Sequence, residues 1–226
     1  MYSKLTIMAK EKKTNKKQLF EAYTNHVLEQ EQFPKSVYAF CKANEISEAD
    51  FYAHFGSLEA LRDSIWTAFY DNTEQLLQKN KDFEAASRKD KLLSFYYTFF
   101  EVLLLNRSYI LFVLDKTVKP LEKMEQLRRL RQKFKAFATE LIEDGNAEKN
   151  SRLTQHPPQL FSEAAWVQLM FLLKFWLEDR SAGFEKTDMA IEKSVQTAFD
   201  VFDNTPLNAL VDFGKFIWKE KFQPTA

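Results

Sequence analysis

The chain has 226 residues with 32 basic and 32 acidic side chains, 4 glycines, 6 prolines and one cysteine. Its hydrophobic content of 45% is sufficient for a packed core, which excludes a globally disordered protein. The scarcity of glycine argues against an all-β fold, because tight hairpins need residues at positive φ. The lone Cys41 cannot form an internal disulfide, so the composition predicts a cytoplasmic protein.

No stretch of the chain is predicted to enter a membrane. The N-terminus lacks the apolar run of a secretory signal. The most apolar stretch, residues 92–114, is long enough to cross a bilayer but contains Glu101 and Arg107. Each charge would cost roughly 2.5–3.5 kcal/mol near the membrane centre. We therefore interpret this stretch as two buried helices of a soluble protein and expect no membrane partner.

Four helices are predicted in the first 80 residues. A lysine-rich leader runs into helix one, where apolar side chains recur at the three- and four-residue spacing of a helix. Ser36 and Ser47 are favourable N-caps, which predicts short second and third helices over 37–43 and 48–55. Gly56 ends the third helix, and Ser57 begins a long fourth helix that continues to about residue 79.

Longer and more apolar helices are predicted beyond residue 90. They are expected near residues 89–105, 109–118, 120–142, 158–178, 187–202 and 206–222. Prolines at the starts of three of them suit the first helical turn, where the missing N–H costs nothing. Residues 143–156 are polar and are interpreted as a mobile surface loop. The predicted fold class is all-α, with about nine or ten helices.

The first helices also carry a recognisable motif. Short helices with a tight connection between the second and third are typical of a helix-turn-helix. Residues 36–47 read SVYAFCKANEIS and residues 51–61 read FYAHFGSLEAL. This segment resembles the N-terminal signature of the tetracycline-repressor (TetR) family, the aromatic cluster being its most specific part. The resemblance covers residues 16–61.

The resemblance implies a domain organisation and a function. Residues 1–57 would form a DNA-binding domain with a basic N-terminal arm, and residues 58–226 a helical ligand-binding and dimerisation domain. The implied function is a transcriptional regulator, in particular a repressor, that a hydrophobic small molecule releases from a palindromic operator. Two third helices on successive major grooves would read that operator.

The candidate DNA contacts combine the resemblance with the chemistry of phosphate recognition. Lysines, hydroxyls, an imidazole and a helix N-terminus can all contact phosphate oxygens. The candidate DNA-binding residues are Lys16, Lys35, Ser36, Ser47, Glu48, Ala49, Tyr52, His54 and Ser57.

Residues 31–61 nevertheless contain five acids and only two lysines, an unfavourable charge for a polyanion partner. The acids could complement helix dipoles and caps while the lysine leader contacts phosphates. Alternatively, an acid accepts from cytosine N4. A third interpretation is a lipid-binding or adaptor protein of the same fold that has lost DNA binding.

The second half is predicted to hold a hydrophobic effector, such as a fatty acyl chain. Aromatic side chains crowd residues 95–113 on more than one helix face, a pattern that is more often that of a filled core than of a ligand site. Arg107 and Glu101 could fix a polar head group, but an ion pair between them or exposure to solvent explains them more simply. The candidate ligand-binding residues are Phe95, Phe99, Phe100, Leu103, Arg107, Phe112, Trp166 and Met170.

A homodimer is expected through the helices near 158–178 and 187–202. The first of them is apolar on more than one face, and large apolar surfaces are rarely left exposed on monomers. The resemblance implies the same arrangement.

Enzymatic chemistry is not indicated by any motif. The three histidines are isolated, and the chain contains no H-E-x-x-H, no C-x-x-C and no glycine-rich phosphate loop. Abundant carboxylates are explained by solvated helix faces. We therefore predict no enzyme, no metal site and no cofactor.

Overall fold

A computed structural model describes residues 14–114, 124–147 and 156–204, and within these ranges the chain is helical without a strand. The predicted all-α fold is confirmed. In chain order the α-helices are α1 (Lys16–Gln30), α2 (Val37–Ala43), α3 (Glu48–Tyr52), α4 (Leu58–Gln78), α5 (Arg88–Leu104), α6 (Arg107–Val113), α7 (Arg128–Ala147), α8 (Pro158–Glu178) and α9 (Glu185–Asn204). A short 3₁₀ helix, Ala182–Phe184, precedes α9. Residues 1–13 of the lysine-rich leader and the helix predicted over 206–222 lie outside the described residues.

Side-chain caps explain why several helices begin where they do. At the start of α1, the Asn15 side chain accepts from the backbone N–H of Gln18, and the Gln18 side chain accepts from that of Asn15, both at 2.9 Å. This reciprocal pair is a capping box, which satisfies two N–H groups that a helix terminus leaves open. Ser87 caps α5, its Oγ lying 3.1 Å from the backbone nitrogen of Asp90.

Two predicted boundaries are wrong. The third helix was expected to reach residue 55 but ends at Tyr52, so only five residues are helical. The loop expected over 143–156 begins inside α7, which continues to Ala147. Glycine and asparagine at 145–146 suggested a break, yet Gly145 is buried and Asn146 forms two hydrogen bonds with the backbone of His156, each 2.8 Å long. Packing and these hydrogen bonds outweigh the weak helix propensity.

The chain divides into two compact units, here called unit 1 and unit 2. Unit 1 contains Met1–Trp66 and Asn106–Leu127, and unit 2 contains Thr67–Leu105 and Arg128–Ala226. Unit 1 therefore holds α1, α2, α3 and the beginning of α4, together with α6, which packs on α1. The division into functional domains at residue 57 stays a prediction.

Unit 2 contains α5, α7, α8 and α9 and the remainder of α4. Helix α7 packs along α8, while α9 packs on both α5 and α8. Its core is aromatic: the Phe95 ring centroid lies 5.3 Å from that of Phe134 and 4.8 Å from that of Phe137. Phe134 is fully buried. The apolar stretch near residue 95 is thus the interior of a helical unit.

Candidate functional site

The second and third helices meet around a small aromatic core in unit 1. Phe40 and Phe51 are both fully buried, and their ring centroids lie 6.0 Å apart. Tyr23 of α1 joins this core, with its ring centroid 5.8 Å from that of Phe40. Cys41 of α2 is also buried, and burial raises the pKa of its thiol, which keeps the sulfur protonated and unreactive at neutral pH. Packing therefore holds α2 and α3 together.

The outer side of α3 carries several candidate DNA contacts. Tyr52 is 54% exposed, and Glu48 and Ala49 are exposed at the beginning of the helix. Ser47 is the N-cap, its Oγ accepting a 3.0 Å hydrogen bond from the backbone N–H of Asp50. These side chains form one exposed surface at the tip of the helix-turn-helix.

Cationic and hydroxyl candidates lie on the neighbouring helices. Lys35 and Ser36 are exposed before α2, and Ser36 Oγ accepts from the backbone N–H of Ala39 at 3.1 Å. Lys16 is exposed at the start of α1, with Nζ 6.0 Å from the ring centroid of Phe55. Ser36 is thus engaged as a cap, whereas both lysine side chains lie at the surface.

Two further candidates have local roles. Nε2 of His54 donates to the carbonyl oxygen of Thr14 at 3.0 Å, which ties the chain after α3 to the residues before α1. Ser57 Oγ accepts from the backbone N–H of Ala60 at 3.2 Å. Hydrogen bonds from its own backbone N–H and from the Ser57 hydroxyl lower the pKa of Glu59. A carboxylate therefore already lies at the helix N-terminus that was expected to receive a phosphate.

Two exposed side chains on α2 were missed by the sequence reasoning. Tyr38 is 59% exposed, and Lys42 places Nζ 5.8 Å from its ring centroid. Their helix buries Phe40 and Cys41 on the opposite side. The available signal was the position of Tyr38 and Lys42, four residues apart on one side of α2, away from the apolar Phe40 and Cys41.

Four candidate ligand-binding residues are parts of the core of unit 2. Phe95, Phe99, Phe100 and Leu103 on α5 are each at most 5% exposed. The rings of Phe95 and Phe99 are stacked, with their centroids 5.6 Å apart. The structure brings these four residues together as packed interior.

The other four candidates are dispersed. Trp166 and Met170 lie half-buried on α8. Arg107 and Phe112 belong to α6 in unit 1, where the Phe112 ring centroid lies 5.3 Å from that of Phe33. Ligand contacts by these eight residues stay predictions.

A cavity of about 600 Å³ lies in unit 2 among α5, α7, α8 and α9. Five alanines contribute to its walls: Ala138, Ala164, Ala165, Ala190 and Ala198. Larger apolar side chains complete them: Leu92, Leu141, Ile142, Phe161, Phe171, Phe199 and Val201. Sequence reasoning missed this site, since none of the eight candidates lines it. Its volume is typical of ligand sites.

The polar groups of the cavity wall include an ordered chain of hydrogen bonds. The buried Tyr96 hydroxyl donates to Oε1 of Gln168 at 3.2 Å, and Nε2 of Gln168 donates to Oγ of Ser194 at 3.0 Å. Burial raises the pKa of Tyr96, so the hydroxyl remains a donor. Gln168 and Ser194 are thereby oriented by the protein.

Arg88 lines the cavity and packs its guanidinium against Gly145. It is the first residue of α5 and lines the cavity while half-buried. Gly145 lies in the last turn of α7, and a Cβ built on it would be only 2.8 Å from Cζ of Arg88. Two carbon atoms do not approach so closely without displacement. The glycine therefore leaves room for the guanidinium where it now lies.

A buried carboxylate organises the connection between α8 and α9. Asp179 accepts from the backbone N–H and hydroxyl of Ser181 at 2.8 and 2.7 Å. It also accepts from the backbone N–H and hydroxyl of Thr187 at 3.0 and 2.7 Å. Burial alone would raise the pKa of Asp179, but these four hydrogen bonds outweigh it and lower the pKa.

An apolar stripe remains exposed on α8. Leu160, Val167 and Phe171 are 52%, 65% and 55% exposed, and their spacing of seven and four residues aligns them on one side of the helix. Met189 of α9 is also exposed. By length and composition alone, α8 could cross a bilayer. Only 28% of its most apolar 18-residue segment is buried within the chain.

Comparison with known proteins adds one finding. The family model described as Tetracyclin repressor-like, C-terminal domain, matches residues 91–217. This range is more than half of the chain and includes α7, α8 and α9 and most of α5. No curated protein matches the chain.

Proposed function

The chain belongs to the tetracycline-repressor-like (TetR) family of transcriptional regulators, and from this premise we propose that it is a cytoplasmic homodimer that binds a palindromic DNA operator and releases it when a hydrophobic effector binds. The single observation that carries the proposal is the exposed tip of α3 on a helix-turn-helix whose inner side is fully packed. Phe51 faces the core while Tyr52, Glu48 and Ala49 are exposed. A short helix held in this way can enter a major groove.

The proposed DNA contacts divide into two kinds. Lys16, Lys35 and the Tyr52 hydroxyl would bind phosphates and fix the register, together with Ser36, Ser47, His54 and Ser57. Glu48 and Ala49, at the beginning of α3, would face base edges. A carboxylate there accepts from cytosine N4, and a methyl group contacts the thymine methyl. In this proposal the acidic residue of the surface, Glu48, recognises bases of the DNA and does not bind phosphate.

Selection from a random pool of 30-base-pair duplexes tests this proposal. The dimer is expected to enrich a pseudo-palindromic site. Lys16→Ala should weaken binding to that site and reduce the slope of log Kd against log salt concentration by about one per protomer. Tyr52→Phe should weaken binding at unchanged slope. Failure to enrich any duplex at low salt would contradict operator binding.

The proposed dimer is formed by the apolar stripe of α8 together with α9. Leu160, Val167 and Phe171 present an a/d-like seam, as in helix bundles. An exposed apolar patch of this kind marks an interaction surface. A second copy of the chain, related by a two-fold axis, would cover the stripe with the same residues and place two reading helices on one duplex.

Sedimentation of the purified protein tests the dimer. Val167→Glu, which places a charge in the seam, is expected to give a monomer. Leu105→Glu is the matched control, since Leu105 is 84% exposed but lies on α5's C-cap, away from the stripe. A monomeric wild type, or a Val167→Glu protein that stays dimeric, would contradict the interface.

A second candidate function follows from the negative charge near α3. Residues 31–61 carry three more acids than lysines, and Glu59 lies at the N-terminus of α4. These features favour a member of the family that binds a lipid or acts as an adaptor without DNA. The duplex selection separates the two functions, because only the regulator enriches a sequence.

We propose that α4 couples effector binding to release of the operator. This helix contributes to both compact units, so an effector in unit 2 that displaces its second half would also displace residues of unit 1. Such coupling requires the effector to bind the two states with different affinity. Operator affinity measured with and without effector therefore tests it.

A further inference from the structure

We infer that His54 is a positioning residue for the N-terminal arm, residues 1–13, and that the lysines of the arm bind DNA phosphates beside the half-site read by α3. The inference rests on the proposed function, since it names a second part of the chain that contacts the operator. Three observations in unit 1 support it: the place where the arm begins, the hydrogen bond that holds this place, and the charges on either side of it.

The arm joins the described chain at a point that is fixed next to the end of α3. Thr14 directly follows the arm, and His54 lies two residues after α3. Nε2 of His54 donates to the carbonyl oxygen of Thr14 at 3.0 Å, across a separation of 40 residues in the sequence. The fold thus ties the exit point of the arm to the helix-turn-helix.

This hydrogen bond is not needed to begin α1. The carbonyl oxygen of Asn15 is the acceptor for the first turn, since it receives the backbone N–H of Leu19 at 3.0 Å. The capping box of Asn15 and Gln18 already satisfies the start of the helix. The Thr14 carbonyl oxygen lies one residue outside α1, so His54 fixes the chain that precedes the helix.

Aromatic contacts hold the start of α1 against the same end of α3. The Phe55 ring centroid lies 6.1 Å from that of Phe51 in α3 and 5.6 Å from that of Phe20 in α1. Nζ of Lys16 lies 6.0 Å from the Phe55 ring centroid. The arm therefore begins beside the helix that is proposed to enter the major groove, where DNA backbone adjoins the protein.

The arm has the charge that the helix-turn-helix lacks. Residues 1–13 contain four lysines and one glutamate, a net charge of +3, whereas residues 31–61 contain five acids and two lysines, a net charge of −3. Affinity for the DNA backbone comes mainly from cations that displace counterions from phosphates. The arm thus supplies the cations that an acidic reading domain needs.

Three lysines of the arm lie close to its exit point. Lys10, Lys12 and Lys13 are within four residues of Thr14, which keeps them no more than about 14 Å of extended chain away from it. A segment loses conformational freedom when it binds, and a residue that is already held in place loses none at that step. By holding Thr14, His54 lowers the cost of placing these lysines on the DNA.

Neutralising the arm in the full chain tests its contact with DNA. The triple variant Lys10→Gln, Lys12→Gln, Lys13→Gln, here called the arm variant, should raise the Kd for the selected duplex about tenfold or more. The slope of log Kd against log salt concentration should fall by about two to three per protomer, since each phosphate contact contributes about 0.9. An unchanged Kd and slope would overturn the inference.

A matched control removes the same charge elsewhere. Lys79, Lys81 and Lys186 are exposed in unit 2, and their triple replacement by glutamine changes the net charge by the same amount. This control should leave the salt slope unchanged, because its lysines are not assigned to phosphates. Equal effects of the control and the arm variant would reduce the arm to a contribution of net charge and overturn the inference.

His54→Ala tests the positioning role when it is combined with the arm variant. The substitution should raise the operator Kd about fivefold or more in the wild-type background, but less than about twofold in the arm variant. Only a charged arm benefits from a held exit point. A direct contact of the imidazole with phosphate, or a purely structural role, predicts the same loss in both backgrounds, and that result would overturn the assignment.

His54→Gln examines the hydrogen bond itself. The glutamine amide can donate to the Thr14 carbonyl oxygen in place of Nε2, so this variant should keep most of the operator affinity and of the salt slope. Circular dichroism and melting curves of both His54 variants check that each protein is folded. A His54→Gln protein that is folded and binds as weakly as His54→Ala would overturn the role of the hydrogen bond.

The duplex selection separates this inference from the proposed function. If no duplex is enriched, operator binding fails and the arm has no operator to bind. If a duplex is enriched and neither the arm variant nor His54→Ala changes its Kd, the regulator stands and the role of His54 and the arm fails.

Discussion

Two regions of unit 2 are built from apolar helices and differ in whether space remains between them. Around Phe134, aromatic rings from neighbouring helices meet, and the Phe95 and Tyr96 ring centroids lie 5.3 and 5.9 Å from that of Phe134. Around Ala165, alanines from three helices face a cavity of about 600 Å³. Aromatic rings fill the first region, whereas in the second the alanines leave space between the larger side chains that complete the walls.

The difference between these two regions indicates where a ligand site is found in a helical protein. Aromatic side chains at helical spacing are attractive candidates for ligand contacts, but they also pack most completely against one another. Alanines at the same spacing cannot fill the space between helices that larger residues hold apart. In this chain the cavity coincides with the alanines, and Phe95 and Phe99 are interior.

The largest expected effect is that of Phe134→Ala. The ring is fully buried among other rings, so its removal leaves a void and should lower the free energy of unfolding by about 3–5 kcal/mol. Urea denaturation followed by tryptophan fluorescence measures it. A loss below about 1 kcal/mol would mean that the aromatic region is not tightly packed.

Asp179→Asn should have the next largest effect, because Asp179 holds together the connection between α8 and α9, two helices that contribute walls to the cavity. The amide cannot accept all the hydrogen bonds from Ser181 and Thr187, which predicts a loss of about 2 kcal/mol at pH 7. The lowered pKa of Asp179 means that its contribution is complete above about pH 4–5 and is lost as the pH falls towards the folded-state value. Urea denaturation as a function of pH should therefore show the difference from wild type shrinking in acid. A difference independent of pH would exclude the carboxylate as its source.

Ala165→Leu examines the open region directly. The larger side chain can enter existing space, so we expect a gain of about 1 kcal/mol in the free energy of unfolding and weaker binding of dodecanoic acid. Thermal denaturation and dialysis measure the two effects. A destabilisation of about 1–3 kcal/mol, as in an overpacked core, would show that the space is not available.

The smallest effect is expected for Gly145→Ala. Alanine has the higher helix propensity, and displacing the guanidinium of Arg88 opposes part of that gain, so a net stabilisation of about 0.5 kcal/mol is predicted. Thermal denaturation of both proteins under identical conditions measures it. A clear destabilisation would indicate that the guanidinium cannot move away.

Much of the fold follows from local signals in the sequence. Ser36 and Ser47 lie where N-caps are expected, and each accepts the backbone hydrogen bond that the cap requires. Proline at the first turn marks the start of α8, whose bounds match the prediction. These features depend on residues close together in the chain.

The cavity could not be predicted in the same way, because it depends on distances between helices that are far apart in sequence. Arg88 and Gly145 are separated by more than fifty residues, and only the fold brings them into contact. The extension of α7 beyond residue 142 is similar, since the hydrogen bonds of Asn146 with His156 join residues across a segment that was expected to be a loop. Tertiary contacts there override local propensity.

The most direct measurement is fluorescence anisotropy of the selected duplex with and without saturating dodecanoic acid, for wild type and Ala165→Trp. A coupling of about 1–3 kcal/mol predicts that the acid raises the operator Kd of the wild type roughly 5- to 150-fold. The same acid should leave the Kd of Ala165→Trp unchanged. An operator Kd that is identical with and without the acid in the wild type would contradict control of DNA binding through the alanine-lined cavity.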